Sequence, residues 1–160
     1  METERSAVAE LLSLCEAYKM RGTHQRKNIV PPETPKVTYQ CKKGGKAIFL
    51  KKAVPSACIR EGPLLEAVRQ QLPGTTSVCY NRSLQCYPHR DSRNSSPSHV
   101  MLLGDFTGGA LALETGERFE EKGVWHGPFD FTKTTHWVEP FEGTRHSLVA
   151  FSNPRVHFGR

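Results

Sequence analysis

With 160 residues, 37% of them hydrophobic and 24% charged, the chain has the size and balance of one soluble domain that can bury a core without disulfides or a partner. No apolar run approaches the roughly 20 residues of a membrane span, and Glu2, Glu4 and Glu10 stand where a signal peptide would be basic and then apolar, so an intracellular protein without a membrane partner is expected. The formal charge of +6 is uneven, with 12 Lys/Arg against 5 Asp/Glu over residues 1–60 and 10 against 11 over residues 61–160.

In chain order, Val8, Leu11, Leu12 and Cys15 follow helical spacing and Gly22 stands at a capping position, which predicts an amphipathic helix over residues 4–20. Residues 22–36, with Pro31, Pro32 and Pro35, read as a loop or extended arm. A strand pair is expected around Val37–Tyr39 and Ala47–Leu50, turning at Gly44-Gly45. Lys42, Lys43, Lys46, Lys51 and Lys52 crowd this stretch, as suits either a polyanion such as nucleic acid or a solvated face guarding a sheet edge. Gly62-Pro63 opens a second helix with Leu64, Leu65, Val68 and Leu72 on one stripe, and Pro73-Gly74 ends it.

From residue 75 the texture changes to short strand-like segments divided by Gly, Pro and Asn, which argues for a sandwich or barrel. The fold class expected is α+β, mainly β. Cys15, Cys41, Cys58, Cys79 and Cys86 are odd in number with no C-x-x-C pair, so they are read as buried thiols, not as a disulfide framework or zinc ribbon. Lys42 to Lys46 is not a phosphate-binding loop, because Ala47 follows where Ser or Thr is needed.

The chemistry-bearing segment is Cys86-Tyr87-Pro88-His89-Arg90-Asp91. On an extended chain residues i and i+2 point to one side, so His89 and Asp91 can share an ion between an imidazole nitrogen and a carboxylate oxygen. A second cluster runs from His136 to Phe151, with a turn expected at Pro140–Gly143 that would set His136 and Arg145 on adjacent strands. His136 then completes two histidines and one carboxylate, a set that leaves iron open positions for a co-substrate and oxygen. Arg145, Ser147, Val149 and Phe151 share one face of the last strand and His146, Leu148 and Ala150 the other, so Arg145 and Ser147 can meet one carboxylate together. His146 points away from Arg145, His126 has no arginine at a useful distance, and His24, His99 and His157 have no partner pattern.

Here the chain resembles the double-stranded β-helix (jelly-roll) 2-oxoglutarate oxygenases, whose pattern is H-x-D, a distal His and an Arg close behind it. The likeness covers about residues 75–155. It implies a single domain over residues 1–160, in which residues 1–74 supply supporting helices and a basic segment and residues 75–155 the jelly-roll core. It also implies Fe(II) on His89, Asp91 and His136, 2-oxoglutarate anchored by Arg145 and Ser147, O2 as co-substrate, and ascorbate as a reductant.

Within that superfamily the motif His89-Arg90-Asp91-Ser92-Arg93-Asn94 is similar to the H-R-D-x-x-N of the TET/JBP nucleobase oxygenases. Arg145-His146-Ser147-Leu148-Val149-Ala150-Phe151-Ser152-Asn153 is similar to their R-x-S-L-V-F-Y-x-H. The resemblance implies that Asn94 bonds a flipped base, Phe151 stacks on it and Asn153 contacts its edge, with a 5-methylcytosine-like base in DNA, ahead of RNA, as substrate. It would make the protein a nuclear, monomeric enzyme. The last two positions depart from the family, Tyr to Phe and His to Asn. Two alternatives stay open: a prolyl-hydroxylase-like oxygenase acting on a protein side chain, and a non-catalytic jelly-roll binding module.

Overall fold

The short apolar segments of the C-terminal half are realised as antiparallel strands, and those at the centre of the large sheet bury both faces. The computed structural model describes residues 2–20, 39–43, 46–50, 56–91 and 97–152. Helix α1 (Glu2–Ala17) is followed by a hairpin, β1 (Tyr39–Lys43) against β2 (Lys46–Leu50) with Lys43 opposite Lys46, then by β3 (Ser56–Ile59) and helix α2 (Pro63–Gln71). Next come β4 (Ser77–Arg82), β5 (Ser98–Leu103), β6 (Phe106–Gly108), β7 (Leu111–Leu113) and β8 (Arg118–Phe119). The last four are β9 (Trp125–Phe129), β10 (His136–Val138), β11 (Phe141–Gly143) and β12 (His146–Phe151). The fold is mainly β, with two helices and antiparallel sheets among the described residues, in keeping with the expected class.

A five-stranded sheet has the order β3-β4-β12-β5-β9. Opposite its inner face stand β10-β7-β8 and the pair β11-β6, and residues 86–89 extend the first of these by pairing with β10. One core lies between the two layers, where Val100, Leu102, Phe129 and Val149 of the large sheet meet Leu111, Leu113, Phe119 and Val138. A second core lies on the outer face, where Leu148, Ala150, Val78, Tyr80 and Met101 take up Leu11 and Cys15 of α1 and Leu64, Leu65 and Val68 of α2. Leu11, Leu65 and Leu148 are fully buried, and truncating any one to Ala costs about 2–5 kcal/mol. Pro63 starts α2 because a first-turn N–H needs no partner, and the N–H of Leu72 closes it on the carbonyl of Val68.

Burial of α1 is completed by a polar network. At the end of α1, Arg82 donates from Nη2 to the carbonyls of Cys15 (2.7 Å) and Tyr18 (2.6 Å), and from Nε to the Tyr80 hydroxyl (2.9 Å). Tyr80 Oη lies 2.9 Å from the Cys15 carbonyl and 2.6 Å from His146 Nδ1. If the hydroxyl donates to the carbonyl, it can accept from both Arg82 and the hydrogen on Nδ1, which uses all its bonding capacity. Burial pushes the Tyr80 hydroxyl up to about 12 and holds the His146 imidazole below its ordinary value. No helix among the described residues is long and apolar enough to cross a membrane.

The expectation that all cysteines are buried holds for Cys15 and Cys86, but Cys79 is half-buried and Cys58 exposed, because Cys58 lies on the edge strand β3. Side chains of Cys41 and of the lysine cluster lie outside the described residues.

Candidate metal centre

His89 and His136 face each other across an antiparallel bridge and exchange both backbone bonds, N to O at 3.1 and 3.0 Å. Asp91, two residues beyond His89, is fixed by its N–H on the carbonyl of Phe131 (2.8 Å). The i and i+2 spacing read in the sequence therefore sets His89 and Asp91 on one side, and strand pairing brings in His136. The three side chains offer ligand atoms within 4.8 Å of one another.

Each imidazole is oriented by its other nitrogen. His89 Nδ1 lies 2.6 Å from the carbonyl of Tyr87, and His136 Nδ1 lies 2.9 Å from that of Thr134. A carbonyl only accepts, so Nδ1 carries the hydrogen in both rings, which turns Nε2 toward Asp91 as the nitrogen that a neutral ring offers to a metal. Both Nε2 atoms point at Asp91 Oδ1, at 3.5 Å from His89 and 3.7 Å from His136. Those distances exceed the ~2.7–2.9 Å of a charge-assisted hydrogen bond. With both rings neutral, two lone pairs and a carboxylate oxygen converge on one place that a cation can occupy. Phe131 stacks on the His136 ring, with centroids 4.0 Å apart, and blocks its rotation.

Arg145 reaches the same cavity from the opposite layer. Its backbone is clamped to Ser83, whose N–H donates to the Arg145 carbonyl while the Ser83 hydroxyl accepts from the Arg145 N–H. The guanidinium is fully buried, donates from Nε to the Gly109 carbonyl (2.9 Å), and has Phe106 and Phe141 rings 5.8 and 5.9 Å away. Among the described residues its two terminal amino groups have neither a carboxylate nor a hydrogen-bond acceptor. Burial pushes its pKa down to about 10, still leaving it charged at neutral pH. A buried cation without a counter-charge is costly, so the arrangement asks for an anion. Gly109, at φ +71°, is required here, since a Cβ would meet Arg145 Cδ and Nε at 3.0 Å.

His89, Asp91, His136, Arg145 and Ser147 thus line one cavity of about 60 Å³. At ~10–15 Å³ per water this holds a small organic anion, not a nucleotide or a peptide. Ser147 accepts from the Asn81 amide at 3.2 Å. Phe151 is buried but is not part of the cavity lining, and Asn94 and Asn153 lie outside the described residues. One expectation is corrected: His136 and Arg145 are not on adjacent strands. Residues 141–143 form β11 paired with β6, so the chain crosses between layers and the two side chains approach from facing sheets. Sequence reasoning also missed Asn81, Ser83 and Gly109; a polar Asn81 at an inward position of an apolar strand was the available signal.

His146 lies on the helix side of the sheet, as its alternation with Arg145 implied. His126 holds the carbonyl of Glu121 through Nε2 (2.8 Å) and takes no part in the centre. Comparison of the chain with known protein families and with curated proteins finds no match.

Proposed function

We propose that this chain is an Fe(II)/2-oxoglutarate-dependent dioxygenase with a jelly-roll core. The observation that carries the reading is the buried Arg145 guanidinium, its amino groups without an acceptor among the described residues, in the same small cavity as the His89, Asp91 and His136 ligand atoms. Two imidazoles and a carboxylate alone would serve zinc as well as iron. A permanent cation across the cavity favours a co-substrate with two acidic ends, one for the metal and one for Arg145. The strand path supports the jelly roll: from β4 to β12 the chain passes back and forth between the two layers, giving β4-β12-β5-β9 opposite residues 86–89, β10, β7 and β8.

In this reading His89, Asp91 and His136 hold the metal, Arg145 grips the distal carboxylate with a planar fork, and Ser147 adds a hydroxyl. Bound iron(II), with 2-oxoglutarate and dioxygen, supplies the oxidising power for inserting oxygen into a C–H bond while succinate and carbon dioxide are released. The apolar wall of Leu84, Val100, Leu111 and Val149 keeps bulk water from the anchored end. The test is succinate release that requires both added iron(II) and 2-oxoglutarate; its absence from metal-loaded protein with every substrate class offered would refute the reading.

For the substrate we propose a methylated nucleobase, on the likeness of His89 to Asn94 to the nucleobase oxygenases and on the basic N-terminal part. The cavity size requires the base to present its substituent at the mouth, flipped out of any duplex. Mass spectrometry of nucleosides after incubation with methylated DNA and RNA tests this; hydroxylated protein in place of modified nucleosides would assign the activity to a side-chain substrate.

A further inference from the structure

We propose that Cys58 and Cys79 form a peroxide-sensitive dithiol in the wall of the cavity, closing to a cross-strand disulfide. The two are register partners on β3 and β4. Cys79 lines the cavity beside Asn81 and Ser147, and Cys58 is exposed on the edge strand. Whether opposite residues can be bridged depends on their hydrogen-bonding parity, which the clamp on Arg145 fixes. The Ser83 N–H donates to the Arg145 carbonyl, so 83 and 145 are a hydrogen-bonded pair, and the β4–β12 register from Arg82↔His146 to Ser77↔Phe151 is unbroken. Counting back by twos, Asn81 and Cys79 turn their backbone groups toward β12. Toward β3 they therefore form non-hydrogen-bonded pairs, whose Cα atoms lie about 4.5 Å apart with side chains at their closest. That separation falls inside the ~4.4–6.8 Å range of disulfides.

The face is also right. Ala57 and Ile59 of β3 pack into the helix-side core, which puts Ser56 and Cys58 on the cavity side with Asn81 and Cys79. Access to the exposed Cys58 sets the order of events. Its thiolate attacks a peroxide oxygen, the O–O bond breaks, and a sulfenic acid forms with loss of hydroxide. The Cys79 thiolate then attacks that sulfur and expels the second oxygen as hydroxide, so two thiols and one hydrogen peroxide give one disulfide and two waters. The product ties the cavity wall at Cys79 to its edge strand. Cys86, which also lines the cavity, lies outside the β3–β4 register that sets Cys58 beside Cys79.

The test uses the full chain, with a chelator present so that no bound metal carries the oxidation. After hydrogen peroxide, alkylation and tryptic digestion, the peptides 53–60 and 70–82 should appear joined, two mass units below their sum, and separate on reduction. Cys79→Ser should leave Cys58 as a sulfenic acid trapped by a dimedone probe, and Cys58→Ser should leave Cys79 alkylated. Both variants keep a near-isosteric side chain, and unchanged melting of the reduced proteins checks that they fold. Both wild-type cysteines alkylated after peroxide, Cys58 carried to sulfinic acid, or pairing with Cys15, Cys41 or Cys86 instead, would each overturn the proposal.

Discussion

Arg145 and His146 are neighbours in the chain whose side chains lie on opposite sides of one sheet. Arg145 enters the cavity and donates to the Gly109 carbonyl, while His146 Nδ1 lies 2.6 Å from the Tyr80 hydroxyl beneath α1. Binding chemistry and helix docking are thus separated by one residue, and each can be perturbed without the other.

Metal binding should depend on the triad and not on His146. His89→Ala, Asp91→Ala and His136→Ala should each weaken cobalt(II) or anaerobic iron(II) binding by more than about 100-fold, beyond the ~10–100-fold that loss of an outer hydrogen-bond partner brings. His146→Asn should leave the affinity unchanged. Calorimetry or the cobalt absorption spectrum reads the difference, and metal lost from His146→Asn but kept by His136→Ala would reassign the centre.

Arg145→Met should separate stability from binding. The wild-type guanidinium is buried without a counter-charge among the described residues, so an apolar side chain of similar length should leave the ligand-free protein as stable or up to ~1–4 kcal/mol more so, by analogy with replaced buried ion pairs. The variant should lose 2-oxoglutarate. In the metal-loaded wild type, the ligand at 100 times its Kd should add about 2.7 kcal/mol, seen as a higher Tm, and the same addition should leave Arg145→Met unmoved.

Gly109→Ala should be costly on two counts. A left-handed φ of +71° costs a residue with a Cβ about 1–2 kcal/mol, and that Cβ would press on Arg145 and on Phe141 Cβ, both at 3.0 Å. Urea denaturation should show the loss, and 2-oxoglutarate affinity should fall with the displaced guanidinium. Full affinity with unchanged stability would show that Arg145 does not need this close approach.

Stability should fall on the acid side partly through His146. Burial, with Arg82 nearby, holds its folded pKa below the unfolded value of about 6.5. The unfolded chain therefore takes up the proton first as pH drops. Its contribution is fully present above about pH 6.5 and is lost as pH falls through the folded pKa. His146→Asn, which can still donate to Tyr80, should flatten the dependence of Tm on pH below 6.5 relative to wild type.

Much of the centre was legible because it rests on short-range periodicity. The i, i+2 relation of His89 and Asp91 and the two faces of β12 follow from strand geometry alone, and the cavity gathers the residues they predict. Depth along a strand is a different matter. Phe151 shares a face with Arg145, but six residues at ~3.3 Å each carry it about 20 Å away, too far to touch a ligand that Arg145 holds. Crossing between layers was equally hidden, since β11 pairs through only three residues, Phe141–Gly143, that read as a turn. The opposition of Cys58 and Cys79 comes from the register of β3 on β4, which no local pattern specifies.

Because β12 has a partner strand on each side, β4 and β5, its amides can meet solvent only when the large sheet itself opens. Residues 86–91 hold on through a single bridge and a few loop bonds. Amide hydrogen exchange should accordingly divide the centre in two, with β12 exchanging at the rate of global unfolding and residues 86–91 through smaller openings. Metal binding would then protect the second part selectively, and a bound ion would act as a fastener for the loosely held half of a site whose other half is built into a strand paired on both sides.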